Sequence, residues 1–142
     1  MAFAIELIKT LAPSPGWFTD PQTGQSYPQP SMLDVTAEVV AAAQAQGVTL
    51  DPARVRAVYH GRVADFDAVE LMPMQGTCPP GSPQQGQPYS ANGRHYGWTA
   101  FGGSQRAGFS FMPSVCGMGA DRWLMCNMES TSVPVRVLVW QL

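Results

Sequence analysis

Charge is what this sequence holds least of. Asp, Glu, Lys and Arg make up 13% of its 142 residues, about half the usual share, and Lys9 is its single lysine. A coiled coil, which repeats Glu and Lys along its flanks, is excluded on that count. A net charge of −2 also excludes an electrostatic grip on nucleic acid. Disorder calls for low hydrophobicity and high net charge, and a chain 45% hydrophobic with so small a charge has neither. No apolar run approaches the roughly 20 residues of a membrane-crossing helix, so no membrane span is expected. The opening Met-Ala-Phe-Ala-Ile-Glu has no basic residue ahead of its apolar stretch, and Glu6 interrupts that stretch early. No signal peptide is therefore expected here, and cytoplasmic synthesis is expected.

Signatures of chemistry are missing too. The chain has no C-x-x-C pair, no H-E-x-x-H and no N-x-S/T sequon. Its three cysteines, Cys78, Cys116 and Cys126, are an odd number without a signal peptide. Three reduced, partly buried thiols are therefore expected, not a disulfide framework. Gly102-Gly103-Ser104-Gln105-Arg106 puts Arg106 where a nucleophile elbow needs its second glycine. No cofactor and no metal are expected.

Glycine and proline are abundant, at 14 and 13 residues. They concentrate in two stretches, 12–30 and 73–95, each far longer than the usual connection of about 4–6 residues. Proline fixes φ and removes a donor, so neither stretch reads as a helix or a central strand. The first carries Trp17, Phe18 and Tyr27. The second carries Tyr89 and a polar, uncharged run with Gln84, Gln85 and Gln87. These aromatics, with Trp98, are the candidate partner contacts, because a merely flexible linker rarely holds so many.

Between and beyond the two stretches, hydrophobic periodicity predicts the elements. Phe3, Ile5 and Leu7 alternate with Ala4, Glu6 and Ile8, which predicts a strand over 2–11. Ser31 reads as the N-cap of a helix with Asp34 in its first turn, an apolar face of Met32, Val35, Val39, Val40 and Ala43, and Gly47 just past its end. Strands are predicted over 62–72, 96–101, 106–112, 123–128 and 133–141. The last is apolar nearly throughout and reads as central or covered on both sides. Trp123, Met125 and Trp140 read as core.

The segment 53–72 reads as a hairpin turning at His60-Gly61. Tyr59 would face Arg62, Arg56 would face Asp65 and Arg54 would face Asp67, giving two cross-strand ion pairs opposite an apolar face of Val55, Ala57 and Tyr59. The rival is a short helix with Asp51 as N-cap, Pro52 at N1 and Gly61 past its end. Asp65 and Asp67 could also work as an acid and base or hold a cation. The register already gives each an arginine, so they read as structural.

The fold class expected is α+β and mostly β: one helix packed on a largely antiparallel sheet or open barrel, in a single domain. The function expected is that of a non-enzymatic subunit of a larger assembly, contacting copies of itself or neighbouring subunits through the two long loops. A bacteriophage or phage-like particle is the assembly whose type fits best, as capsid decoration, neck or tail protein, which would place the mature chain in the virion. One alternative is a β-rich carbohydrate- or ligand-binding module. Another is a small thiol hydrolase using Cys78 or Cys116 with His95.

Overall fold

The computed structural model describes residues 3–21, 23–52, 54–60, 68–71, 76–78, 82–89 and 107–142. Two antiparallel sheets share one apolar core, and one α-helix flanks them. The larger sheet holds β1 (Phe3–Leu11), β5 (Val55–His60), β6 (Ala68–Leu71) and β11 (Val133–Gln141), in the order β1-β11-β5-β6. The smaller holds β4 (Ser31–Asp34), β9 (Ala107–Met112) and β10 (Arg122–Asn127), in the order β4-β10-β9. Two short hairpins lie apart from them: β2 (Gly16–Thr19) with β3 (Ser26–Gln29), and β7 (Gly76–Thr77) with β8 (Pro88–Tyr89). The expected mostly-β class with one helix is what forms, without a closed barrel.

β11 organises the larger sheet. It pairs with β1 from Phe3↔Gln141 to Leu11↔Val133 and with β5 from Val55↔Gln141 to His60↔Arg136. Its alternation is strict. Val133, Val135, Val137, Val139 and Gln141 are buried, while Pro134 and Leu138 are exposed. The strand is thus central, as expected, but among the described residues it is covered on one face only. Trp140 sits half-buried on the open face, opposite Arg56 and Ala4, so it is not core. Ile8 and Leu138 share that face, 58% and 42% exposed.

The smaller sheet supplies the aromatic half of the core. Phe109 and Phe111 pair across from Met125 and Trp123. Trp123 stacks on Phe109 with ring centroids 5.7 Å apart and meets Phe111 at a tilt, with centroids 4.6 Å apart. All four are essentially buried, as expected for Trp123 and Met125.

The helix begins later than the sequence predicts. Ser31–Asp34 is strand β4, and the helix α1 spans Thr36–Ala45. Ser31 does not cap it; its hydroxyl donates to the Ala12 carbonyl at 2.6 Å. β10 wins this segment instead. Asp34 faces Leu124 in the ladder, and the Val35 N–H continues the pairing onto the Trp123 carbonyl at 2.8 Å. Asp34 then accepts from the Thr36 N–H at 2.9 Å and pairs with Arg122 at 3.2 Å. At the other end Gly47 takes φ +68°, the left-handed conformation that its place past the helix end requires.

α1 protects the edge of β1. Glu38 pairs with Lys9 at 2.6 Å, and Gln46 meets Ala4 with both amide atoms. The Gln46 Nε2 donates to the Ala4 carbonyl at 2.9 Å, and its Oε1 accepts from the Ala4 N–H at 3.4 Å. A side-chain amide here takes the place of a strand neighbour, which blunts an edge that could recruit another chain.

The hairpin of β5 and β6 forms in a different register from the one predicted. Tyr59 faces Val69 and His60 faces Ala68, so residues 61–67 intervene where a two-residue turn was expected. The shift is an odd number of positions, which exchanges the two faces of the second strand. The burial of β5 does not choose between the two registers. Val55 and Ala57 are buried, and the pairing with β11 holds them in the core whatever β6 does. Asp65 and Asp67 lie outside the described residues, and so does any pairing of them with Arg56 and Arg54. The Arg54 guanidinium donates to the Leu142 carbonyl, and the Leu142 N–H returns to the Arg54 carbonyl at 3.0 Å. The predicted strand over 96–101 also lies outside the described residues.

Candidate functional site

The stretch 12–30, read from sequence as an irregular loop, contains the β2–β3 hairpin. Its base is tied down by polar groups. The Ser14 hydroxyl donates to the Gln29 carbonyl at 2.5 Å and the Ser14 N–H to the Glu129 carbonyl at 2.7 Å. Asn127, fully buried, is the hub beneath it. Its Nδ2 donates to the carbonyls of Ala12 at 2.8 Å and Thr131 at 3.0 Å, and its Oδ1 accepts from the Glu129 N–H at 2.9 Å. A buried amide is tolerated when its donors and acceptors are met in this way. At the far end the Asp20 N–H donates to Gln25 and the Gly24 N–H to Asp20, both at 2.8 Å, closing the turn. Proline is tolerated in so short a two-stranded ladder, where Pro28 faces Trp17.

Trp17 stands out from this hairpin, 71% exposed. Phe18 faces Tyr27 in the same ladder, and Tyr89 faces Gly76 in the β7–β8 pair. Trp98 and His95 lie outside the described residues. Trp17 is thus a candidate contact that a described element holds out to solvent.

The second long stretch is fastened by a bond the sequence reading did not expect. Cys78 and Cys116 form a disulfide, with Cα atoms 5.4 Å apart, and Cys126 alone remains a thiol. The expectation of three reduced thiols is corrected on this point. An odd cysteine count carries no information about which two meet, and 38 positions separate this pair. The chemistry changes with it, since a sulfur committed to a disulfide offers no thiolate to a substrate. Cys126 does not replace it as a nucleophile. Complete burial pushes its pKa up to about 12, so it stays protonated at neutral pH.

The disulfide clamps the turn 82–87 against the 3₁₀ turn Ser114–Cys116. The Gln84 N–H donates to the Cys116 carbonyl at 3.3 Å, and the Cys78 N–H to the Gln87 carbonyl at 2.8 Å. Gly117 closes the contact. It takes φ +82°, and a Cβ there would lie 2.9 Å from the Pro83 Cβ, so no other residue fits without displacing the loop.

The two long stretches, noted separately in the sequence, meet in space. A cleft of about 300 Å³ opens between the β2–β3 turn and the clamped loop, lined by Asp20, Pro21, Ser82, Pro83, Gln84, Gln85 and Gln87. The Gln85 Nε2 donates to Asp20 Oδ2 across it at 3.4 Å. The glutamines were visible in the sequence as a polar run. What the sequence did not show was their approach to Asp20, some sixty residues earlier in the chain. Among the described residues, no group of three or more His, Cys, Asp or Glu is placed to hold a metal, and no helix is long and apolar enough to cross a membrane. No protein-family model matches the chain, and neither curated proteins nor solved structures give a match.

Proposed function

We propose that the chain is a non-enzymatic structural subunit that associates with copies of itself through the β2–β3 hairpin. The observation carrying this reading is Trp17, 71% exposed on a hairpin whose base and turn are both hydrogen-bonded. Tryptophan is the residue most enriched among the dominant contacts of interfaces. Ordering a short hairpin costs about 1–2 kcal/mol per residue in backbone entropy. Leaving its largest apolar side chain in water recovers none of that, whereas burying it against a neighbour does. The assembly we name is a bacteriophage or phage-like particle, with the chain as decoration, neck or tail protein. That choice rests on chain type alone, a small β-rich domain with extended loops.

Sedimentation velocity over a concentration series tests the association. The wild-type chain is expected to sediment as an oligomer, and Trp17→Ala to weaken its association about 30-fold, the effect of losing a dominant interface contact of about 2 kcal/mol. A wild-type chain that stays monomeric up to about 1 mM, where even weak specific contacts form, overturns the reading.

A further inference from the structure

We propose that the cleft between the β2–β3 turn and the clamped 82–87 loop binds a neutral saccharide. The lining chemistry selects the ligand class. Gln84, Gln85 and Gln87 each bring an amide that both donates and accepts, Ser82 adds a hydroxyl and Asp20 a carboxylate. Sugar hydroxyls are also donors and acceptors at once, and two neighbouring ones can donate to the two oxygens of one carboxylate. Pro21 and Pro83 add small apolar surfaces of the kind that suit the C–H faces of a pyranose ring. The other ligand classes fit poorly. Among the described residues, no cationic side chain lines the cleft to hold an anion. A calcium site needs six to eight oxygens, against one carboxylate among the described residues of the lining. An apolar ligand would leave the amides without water or partners.

Rigidity is the second observation. Every residue from Pro83 to Gln87 is at least partly exposed, so burial does not hold this loop. It is held instead by the disulfide at its flank, by the Gly117–Pro83 contact and by backbone hydrogen bonds within it. Gln85 donates to Ser82 and Gln87 to Gln84, both at 3.1 Å, and Gly86 donates to Cys78 at 3.1 Å. A covalently fastened loop that keeps its amides outward is pre-organised to present them, which lowers the entropy cost of binding. The Gln85–Asp20 hydrogen bond orients the carboxylate from the opposite wall. Trp17 is not needed for this site.

The test is titration of the isotope-labelled chain by NMR with maltotriose, cellotriose, chitotriose and mannotriose, each to millimolar concentration, together with trilysine. The expected result is that at least one trisaccharide shifts the backbone amides of Asp20, Ser82, Gln84, Gln85 and Gln87 and the side-chain amides of Gln84 and Gln87. Gln84→Ala and Gln87→Ala, both at exposed positions, are then expected to weaken that binding about fivefold each, the effect of one lost hydrogen bond. Asp20→Asn, which keeps the side chain's shape, is expected to weaken it further. The proposal is overturned if none of the four trisaccharides moves these amides, if the shifts map elsewhere, or if trilysine moves them and the sugars do not.

Discussion

Strand β11 and the loop 82–87 stand at opposite limits of how a segment can be ordered. β11 buries four valines and a glutamine on one face and is paired on both sides. Each buried valine contributes about 1.5–3 kcal/mol, so the strand needs no covalent help. Gln141 even carries polar groups into the core, because its Nε2 donates to the Thr49 carbonyl at 3.0 Å and its Oε1 accepts from the Asp51 N–H at 2.8 Å. The loop buries only Ser82, yet it too has a defined backbone. Its order comes from a cross-link and short-range hydrogen bonds. A scaffold ordered by burial has little side chain left over, while a loop ordered by a cross-link keeps its side chains available.

The largest effect that bears on this contrast is expected at the burial end. Phe109 is fully buried against Trp123, and Phe109→Ala should lower stability by about 3–5 kcal/mol in urea unfolding. A loss below about 1 kcal/mol would mean that the two sheets do not share a core. Removing the cross-link should act more locally. The double variant Cys78→Ser with Cys116→Ser should cost about 2–4 kcal/mol. Its gain in hydrogen exchange should be confined to the amides of 76–89 and 114–119. Equal loss of protection over 133–141 would break the comparison, because the two regions would then unfold as one.

The smallest effect concerns Asp34, at the junction of β4 and α1. Partial burial acts to raise its pKa, but the hydrogen bonds from Thr36 and the charge of Arg122 outweigh it and hold the carboxyl below its ordinary value. The folded state therefore favours the ionised form. That stability is present above the unfolded pKa of about 3.9 and is lost as pH falls through the lower folded value. The side chain is 44% exposed, so solvent keeps the effect small. The thermal midpoint of wild type should fall below pH 4 slightly more than that of Asp34→Asn. Identical pH profiles would refute the assignment.

The same contrast governs what the sequence made legible. β1 and β11 were readable because burial on one face leaves a period-two trace, β10 because it is apolar nearly throughout and buried on both faces, and Gly47 because a helix end needs its φ. β4 was not. Met32 and Leu33 are both near 38–39% exposed, so the strand has no alternation to show, and its serine and aspartate imitate a helix start. The β5–β6 register was not legible because the pairing with β11 keeps Val55 and Ala57 buried whatever β6 does, so the apolar pattern of β5 leaves the position of β6 open. The cleft was illegible for a different reason. One wall is fastened by a disulfide and reaches the other through a side-chain hydrogen bond from Gln85 to Asp20, and neither leaves a periodic mark.

The pairing of β1 with β11 also sets a schedule on the ribosome. Leu11 cannot find Val133 until more than a hundred further residues have been made, which takes on the order of ten seconds at ordinary synthesis rates. Until then β1 and β5 have no central strand between them, and the apolar faces that β11 will cover wait in the open nascent chain. Such long-range closure is intrinsically slow. The step that completes the larger sheet is therefore among the last the chain can take, and a chaperone that shields β1 and β5 during that interval has most to do here.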